Sequence, residues 1–510
     1  MTKALTVALI ALAAGAGCTG GIGANALAGV DGGQGSDGGA DGTGGLLDDG
    51  GAGPTPGDAT AESIPGSDAA ANRDGGRRKD AGAMACSSPG TSDWYTYGHD
   101  PQRTSASDGC MVGPLTLSFT YEPLAASGGQ LASVEHAIAT HAAVYVKSAD
   151  SNNGAQVAAV VDKLTPAGAR VWQWAFGDFE EHQWPTFAFG VLAVEEDSMW
   201  FVDDSDGKGL QLGEYDDWGT NTADATRFYV SSDVNSKDGY GIYVGAYPAQ
   251  APTPLPFPPP EWHANLWGNG NRNGTECGYE VNDSLAVDNA VVYQAGEYRN
   301  LSGSPPFPSG VRSFDGTSGT PGWTQPTLPR SAISVGAGKV FLIEQDSGLT
   351  LVARRQQDGT VGWSTPLVGA QSIQAPALAG GLLLLAEKDG IDAYDPATGA
   401  LVWNAPGIDA LQTAFVATLN TYFDACGGAD DLSTLADTSL AAATGSNTLV
   451  VTATDGVHIL SLDDGSSVWS GKIAGITGPL KNPVIVGKTL YAIDTGAAAG
   501  IGQLVALTSP

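Results

Sequence analysis

Positive charge is scarce in this chain. Its 510 residues carry 23 Lys and Arg against 55 Asp and Glu, a formal net charge of −32. So acidic a surface repels phosphate backbones and anionic headgroups, which excludes nucleic-acid binding and simple electrostatic adsorption to a membrane. Cysteine is scarce too, at five. No CxxC, CxxCH or adjacent cysteine pair occurs, so thiol redox motifs, c-type haem attachment and a vicinal disulfide have no support. The six histidines (His99, His136, His141, His182, His263 and His458) lack zinc-ligand spacing. GxSxG and P-loop sequences are missing as well.

Glycine is abundant at 72 residues, about twice the usual share, and apolar residues come in short runs. The clearest stretch is 380–403. Its runs 382–386, 391–394 and 401–403 are separated by Lys388-Asp389-Gly390 and by Asp395-Pro396-Ala397-Thr398-Gly399. Such runs are too short for helices and read as antiparallel strands joined by hairpins. The punctuation recurs. Gly168, Gly319, Gly359, Gly399 and Gly465 are each followed four residues later by Trp172, Trp323, Trp363, Trp403 and Trp469. The three central tryptophans are 40 residues apart, and a period near 40 with several strands per unit is the signature of a β-propeller.

Unit one spans 134–176, with strands at 134–139, 142–147 and 157–164 and a last strand holding Trp172. Residues 184–270 are irregular. Runs 187–194 and 199–202 read as the first strands of a second unit and 210–215 as its third. A third unit includes 240–247 and ends near Trp262 or Trp267. Later units span 284–325, 332–366, 373–405 and 438–473. The last, 482–507, has three strands only, and the unpartnered strand 115–121 would complete it. The expectation is an all-β, eight-bladed propeller over residues 93–510, with seven blades as the alternative. An N-terminal strand closing the last blade would remove an open sheet edge.

Residues 393–403 (AYDPATGALVW) resemble the tryptophan-docking motif AxDxxTGxxxW of pyrroloquinoline-quinone (PQQ) repeat propellers, in the quinoprotein alcohol dehydrogenase-like superfamily. Residues 313–323 are a near match with Asp315, and 461–469 a shortened one. The 353–363 and 168–172 segments keep only Gly and Trp. The entry segment 94–105 is also similar to the start of such domains. In these repeats Asp395 or Asp315 and the glycine close a tight turn, and the tryptophan lays its ring between blades. The residues are structural. A quinoprotein dehydrogenase of this superfamily would also carry PQQ, a calcium site of Glu, Asn and Asp oxygens, an Asp base, a stacking Trp and adjacent cysteines. Those cysteines are missing here, and Asp203, Asp204 and Asp206 read as an ordinary solvated turn. The expectation is therefore no enzyme, no PQQ and no calcium.

Residues 1–18 join Lys3 to an apolar run at 4–16 and small residues before Cys18. Thirteen apolar residues are too few to span a bilayer and read as an export signal. The small residues before Cys18 resemble the lipobox of bacterial lipoproteins, with Gly15 where Leu is usual. That resemblance implies a lipid on Cys18 and, with Thr19 and Gly20 following, an outer-membrane or surface location. Periplasmic or secreted protein is the alternative. Residues 19–85 are a Gly/Asp-rich linker with too few apolar residues to offset its ordering entropy. With Cys18 lipidated, Cys86, Cys110, Cys277 and Cys426 form an even set in an oxidising compartment. Three pairings are possible. Cys86 and Cys110 flank the domain entrance, and Cys277 and Cys426 sit in long insertions, which favours those two bridges.

Glu180-Glu181-His182 reads as an exposed turn, and the seven-proline stretch 248–267 as a stiff surface loop. Insertions 268–280 and 404–436 fall on one face and mark it as the binding surface. The expected function is an exported, lipid-anchored, monomeric binding or scaffold module for a protein or envelope ligand. Its rivals are a PQQ-dependent oxidoreductase and an outer-membrane protein assembly scaffold.

Overall fold

The computed structural model describes residues 86, 90–124, 133–149, 159–176, 184–195, 198–214, 221–236, 239–248, 260–267, 278–300, 309–345, 347–367, 374–387, 389–410, 438–496 and 502–510. Every described residue lies in the unit Ser67–Pro510. Cys18, Cys277, Cys426 and residues 180–182, 249–259, 268–277 and 411–437, which make up most of the insertions 248–267, 268–280 and 404–436, lie outside the described residues.

Among the described residues thirty-three strands form eight sheets, each a blade of four antiparallel strands, with a short fifth strand, β1 (Ala106–Ser107), added in parallel to blade seven. Blades one to seven span 133–175, 186–214, 221–267, 278–326, 334–366, 377–406 and 440–471. Blade eight takes β31 (Leu480–Val486), β32 (Thr489–Asp494) and β33 (Gln503–Thr508) from the C-terminus, and its outer strand β2 (Thr116–Tyr121) from the N-terminus. Tyr121 faces Leu504 and Thr116 faces Thr508 in that pairing. The ring is closed as the sequence predicts.

Burial explains the pattern of apolar runs. In blade six Leu382–Glu387 (LLLLAE) is buried at five consecutive positions, because both sheet faces pack on neighbouring blades. The outer strand Leu401–Pro406 alternates, with only Trp403 and Ala405 buried. The cores accordingly lie between blades. Val191, Phe201, Phe228 and Tyr247 join blades two and three, and Phe341, Leu351, Leu385 and Tyr394 join five and six.

Blade two corrects one expectation. Run 187–194 is two strands, Thr186–Ala188 and Val191–Glu195, so Gly209–Glu214 is the fourth strand and not the third. Phe189 and Gly190 both have positive φ, at 55° and 74°, and reverse the chain in two residues. A phenylalanine there hides the turn from an apolar-run reading.

Candidate functional site

The docking residues act between blades. The Trp363 indole N–H donates to Pro396 O at 3.0 Å, and a Cβ on Gly399 would stand 2.5 Å from Trp363 Cε3. Gly399 therefore receives the tryptophan of the preceding blade, not its motif partner Trp403. Trp403 reaches the next turn, donating to Leu462 O at 3.0 Å over Gly465. Likewise Trp323 donates to Gln356 O at 2.7 Å over Gly359, and Trp172 to Asp204 O at 2.9 Å over Gly207. Asp395 and Asp315 cap their own turns, accepting backbone N–H bonds from Ala397 at 2.7 Å and from Ser318 at 2.8 Å. Hydrogen bonds from Ser318 hold the exposed Asp315 carboxyl below its ordinary range.

Several members of this ring were not legible beforehand. Trp262, on the outer strand of blade three, docks over Gly319 and donates to Gly316 O at 2.8 Å. The turn holding Asp203, Asp204 and Asp206 is the docking turn of blade two and not a merely solvated one. Asp204 there pairs with Lys163 Nζ at 2.5 Å and accepts the Tyr145 hydroxyl at 2.6 Å. At the seam the roles pass to residues outside any motif. Trp469 lies over Gly113, and Phe119 of β2 lies over Gly168. Proline-rich residues 249–259 fall between the third and fourth strands of blade three, where other blades place a docking turn.

The entry segment does what no repeat predicts. Residues 94–110 run as a strap around the innermost strands at the rim of the first hairpin turns. Trp94 exchanges N–H···O bonds with Ala139 of blade one at 2.7 and 2.8 Å. Phe187, Val287, Val335, Leu378 and Ala442, in blades two, four, five, six and seven, donate their N–H groups to strap carbonyls at 2.7–2.8 Å. These accept at Tyr95, Pro101, Gln102, Thr104 and Ser105. Arg103 covers blade three, its guanidinium donating to Asn221 O at 3.3 Å, and Cys110 N–H donates to Gly487 O of blade eight at 2.8 Å. Strand β1 (Ala106–Ser107) adds a short parallel pairing to Leu440–Ala443. A propeller leaves its innermost strand edges facing the axis, and the strap satisfies them.

The strap is anchored by buried side chains. Trp94, Tyr97 and Arg103 are at most 3% exposed, and Arg103 lies over the Tyr97 ring at 4.9 Å. Above it, Trp184 meets Tyr97 edge-on at 5.5 Å and His136 at 4.8 Å. Asn482 ties blade eight to its neighbours, accepting Thr438 N–H at 2.8 Å and donating to Glu135 O at 3.1 Å. The expected Cys86–Cys110 bridge is formed. One rim of the propeller is thus lined by the chain's own backbone. The strands flanking residues 268–277 and 411–437 end and begin at the other rim.

A sequence profile described as outer membrane protein assembly factor BamB matches residues 309–506, from the third strand of blade four to the last strand of blade eight. Among solved structures, quinohemoprotein alcohol dehydrogenase from Comamonas testosteroni is similar with a TM-score of 0.53 and 11% identity, over 82% of this chain and 80% of its own. The chain folds as an eight-bladed β-propeller, and its residues 309–506 are similar to the BamB profile. BamB from Moraxella catarrhalis is similar at a TM-score of 0.46 and 14% identity, over 78% of this chain and 100% of its own. No curated protein matches this sequence.

A calcium site needs an oxygen-rich ligand set. Calcium takes six to eight oxygens, yet among the described residues no three His, Cys, Asp or Glu side chains cluster to hold a metal. His136 and Tyr97 pack against Trp184, and the bridged cysteines are 24 residues apart. Among the described residues the remaining histidines are scattered, His99 lying against Asp100 and Trp94. His141 pairs with Asp93, His458 with Asp455, and His263 stacks on Tyr243.

Proposed function

We propose that this protein is a non-catalytic binding module of the cell envelope, and that its partner docks on the rim bearing residues 268–277 and 411–437. The observation that carries this reading is the strap. It bonds to all eight blades and occupies one rim, which leaves the other rim to its loops. Loops fixed to a rigid scaffold are the usual place for recognition. A partner that is a protein segment or an envelope component, rather than a nucleic acid, agrees with the net charge of −32.

Replacing residues 411–437 with a short Gly/Ser linker tests the reading. The variant is expected to keep its unfolding temperature and lose the partner recovered from envelope extracts by the intact chain. Unchanged recovery would count against the rim. Adding PQQ and calcium to purified protein and recording the absorption spectrum tests the oxidoreductase alternative, and a stoichiometric bound chromophore would replace our reading with it.

An assembly scaffold for outer-membrane proteins is the second reading, favoured by the profile match over residues 309–506. It requires co-purification with an integral membrane barrel. Lipidation at Cys18 belongs to the same proposal. Metabolic labelling with a clickable fatty acid is expected to mark the chain and to be abolished by Cys18→Ala.

A further inference from the structure

We propose that the Cys86–Cys110 disulfide is a redox clamp on the strap that runs along the inner strands at one rim. The bridge closes residues 86–110 into a covalent ring, and every strap contact from Trp94 to Ser107 lies inside it. Pulling or fraying that begins upstream of residue 86 is therefore passed to Cys110, which blade eight holds through Gly487 O. The strap itself is bypassed. Asp108 draws the two limbs of the ring together, accepting N–H bonds from Thr91 and Ser92 at 2.8 Å each and the Ser92 hydroxyl at 2.6 Å. Once the bridge opens, the described part of the upstream limb is held from Asp108, Ser107 and the Trp94–Ala139 pair onward. Fraying then uncovers the inner-strand amides of Phe187, Val287, Val335, Leu378 and Ala442.

The two sulfurs differ in access, since Cys110 is 1% exposed and Cys86 only half-buried. A dithiol reductant supplies the two electrons. One of its thiolates attacks Cys86 Sγ, the S–S bond breaks, and Cys110 leaves as a thiolate that takes up a proton. The second thiol then attacks the mixed disulfide and releases Cys86 as a thiol, and the reductant ends as a disulfide.

Hydrogen–deuterium exchange on the full chain tests the clamp, comparing oxidised protein, protein treated with dithiothreitol, and Cys86→Ala without reductant. The variant separates this bridge from any effect of reductant on Cys277 and Cys426. The expected result, in both perturbed samples, is at least tenfold faster exchange at Phe187, Val287, Val335, Leu378 and Ala442, with Leu384 and Val450 unchanged. Unchanged strap-partner amides would show that the strap holds itself. Equal acceleration at Leu384 and Val450 would show that the bridge serves the whole fold. Either result overturns the proposal. Should Cys86→Ala not fold, the reduced wild-type protein reads the same amides.

Discussion

At the scale of the residue, the docking ring sets a steric demand separable from backbone strain. Gly399 and Gly381 have nearly the same φ, +72° and +73°. A Cβ on Gly399 would meet Trp363 at 2.5 Å, whereas one on Gly381 would meet nothing within 4 Å. Any L-residue at such φ costs about 1–2 kcal/mol. Overpacking against an indole held on both sides adds roughly 1–3 kcal/mol. Gly381→Ala is therefore expected to lower stability modestly and Gly399→Ala by about twice as much or more, read from their denaturant midpoints at equal slope. Equal losses would mean that the tryptophan yields freely, and that these contacts do not fix one blade against the next.

At the scale of the element, one buried and one half-buried carboxyl give opposite pH slopes. Asp162, on the third strand of blade one, is 0% exposed at the seam with β2. Burial pushes it up to about 6, with Tyr121, the Gln173 amide at 3.4 Å and Arg170 at 3.9 Å opposing the rise. Its folded value lies above its unfolded one, so stability falls as pH rises from about 4 to 6 and stays lower above. The full cost is about 3 kcal/mol on the scale of 1.4 kcal/mol per pH unit. Asp162→Asn is expected to flatten that slope and to raise stability at pH 7 by roughly 1–3 kcal/mol. A loss at pH 7 would show that the charge is stabilised in place.

Asp108 behaves in the opposite way. Burial would raise it, but hydrogen bonds from Ser92 and Thr91 hold it down to about 2. Its stabilisation is present above about pH 4 and lost as pH falls toward 2, worth roughly 1 kcal/mol after solvent screening. Asp108→Asn is expected to show that loss at pH 6 and none at pH 2 in the same denaturation series. Blades four to seven were legible in the sequence because strands buried on both faces write unbroken apolar runs between Asp/Gly turns. The strap was not, because its contacts are backbone carbonyls that any residue supplies. Gly113 and Phe119 were hidden for a related reason: they perform the Gly and Trp roles outside the motif's spacing. Trp262 could have been chosen over Trp267 by its reach to the Gly319 turn, which only coordinates reveal.

At the scale of the whole molecule, ring and axis are both completed by one short piece of chain. Residues 90–121 supply the strap and β2, so they fill the inner edges of the blades and the outer edge of blade eight. Remove them and β33 presents an open edge while inner-strand amides lose their acceptors, at about 1–3 kcal/mol for each buried group left unpaired. A chain beginning at residue 125 is therefore expected to aggregate or to sediment as strand-paired oligomers. Because the missing piece touches the rest mainly through backbone hydrogen bonds and a few anchors (Trp94, Tyr97, Arg103 and Phe119), it is expected to work in trans. A synthetic peptide of residues 86–124 added during refolding would restore a monomer by analytical ultracentrifugation, and the same peptide carrying Phe119→Ala would restore less. A truncated chain that stays monomeric with no peptide present would refute the claim that this segment closes the propeller. Rescue by a scrambled peptide would show that bulk β-pairing, and not the Trp94-to-Tyr121 path, closes the ring.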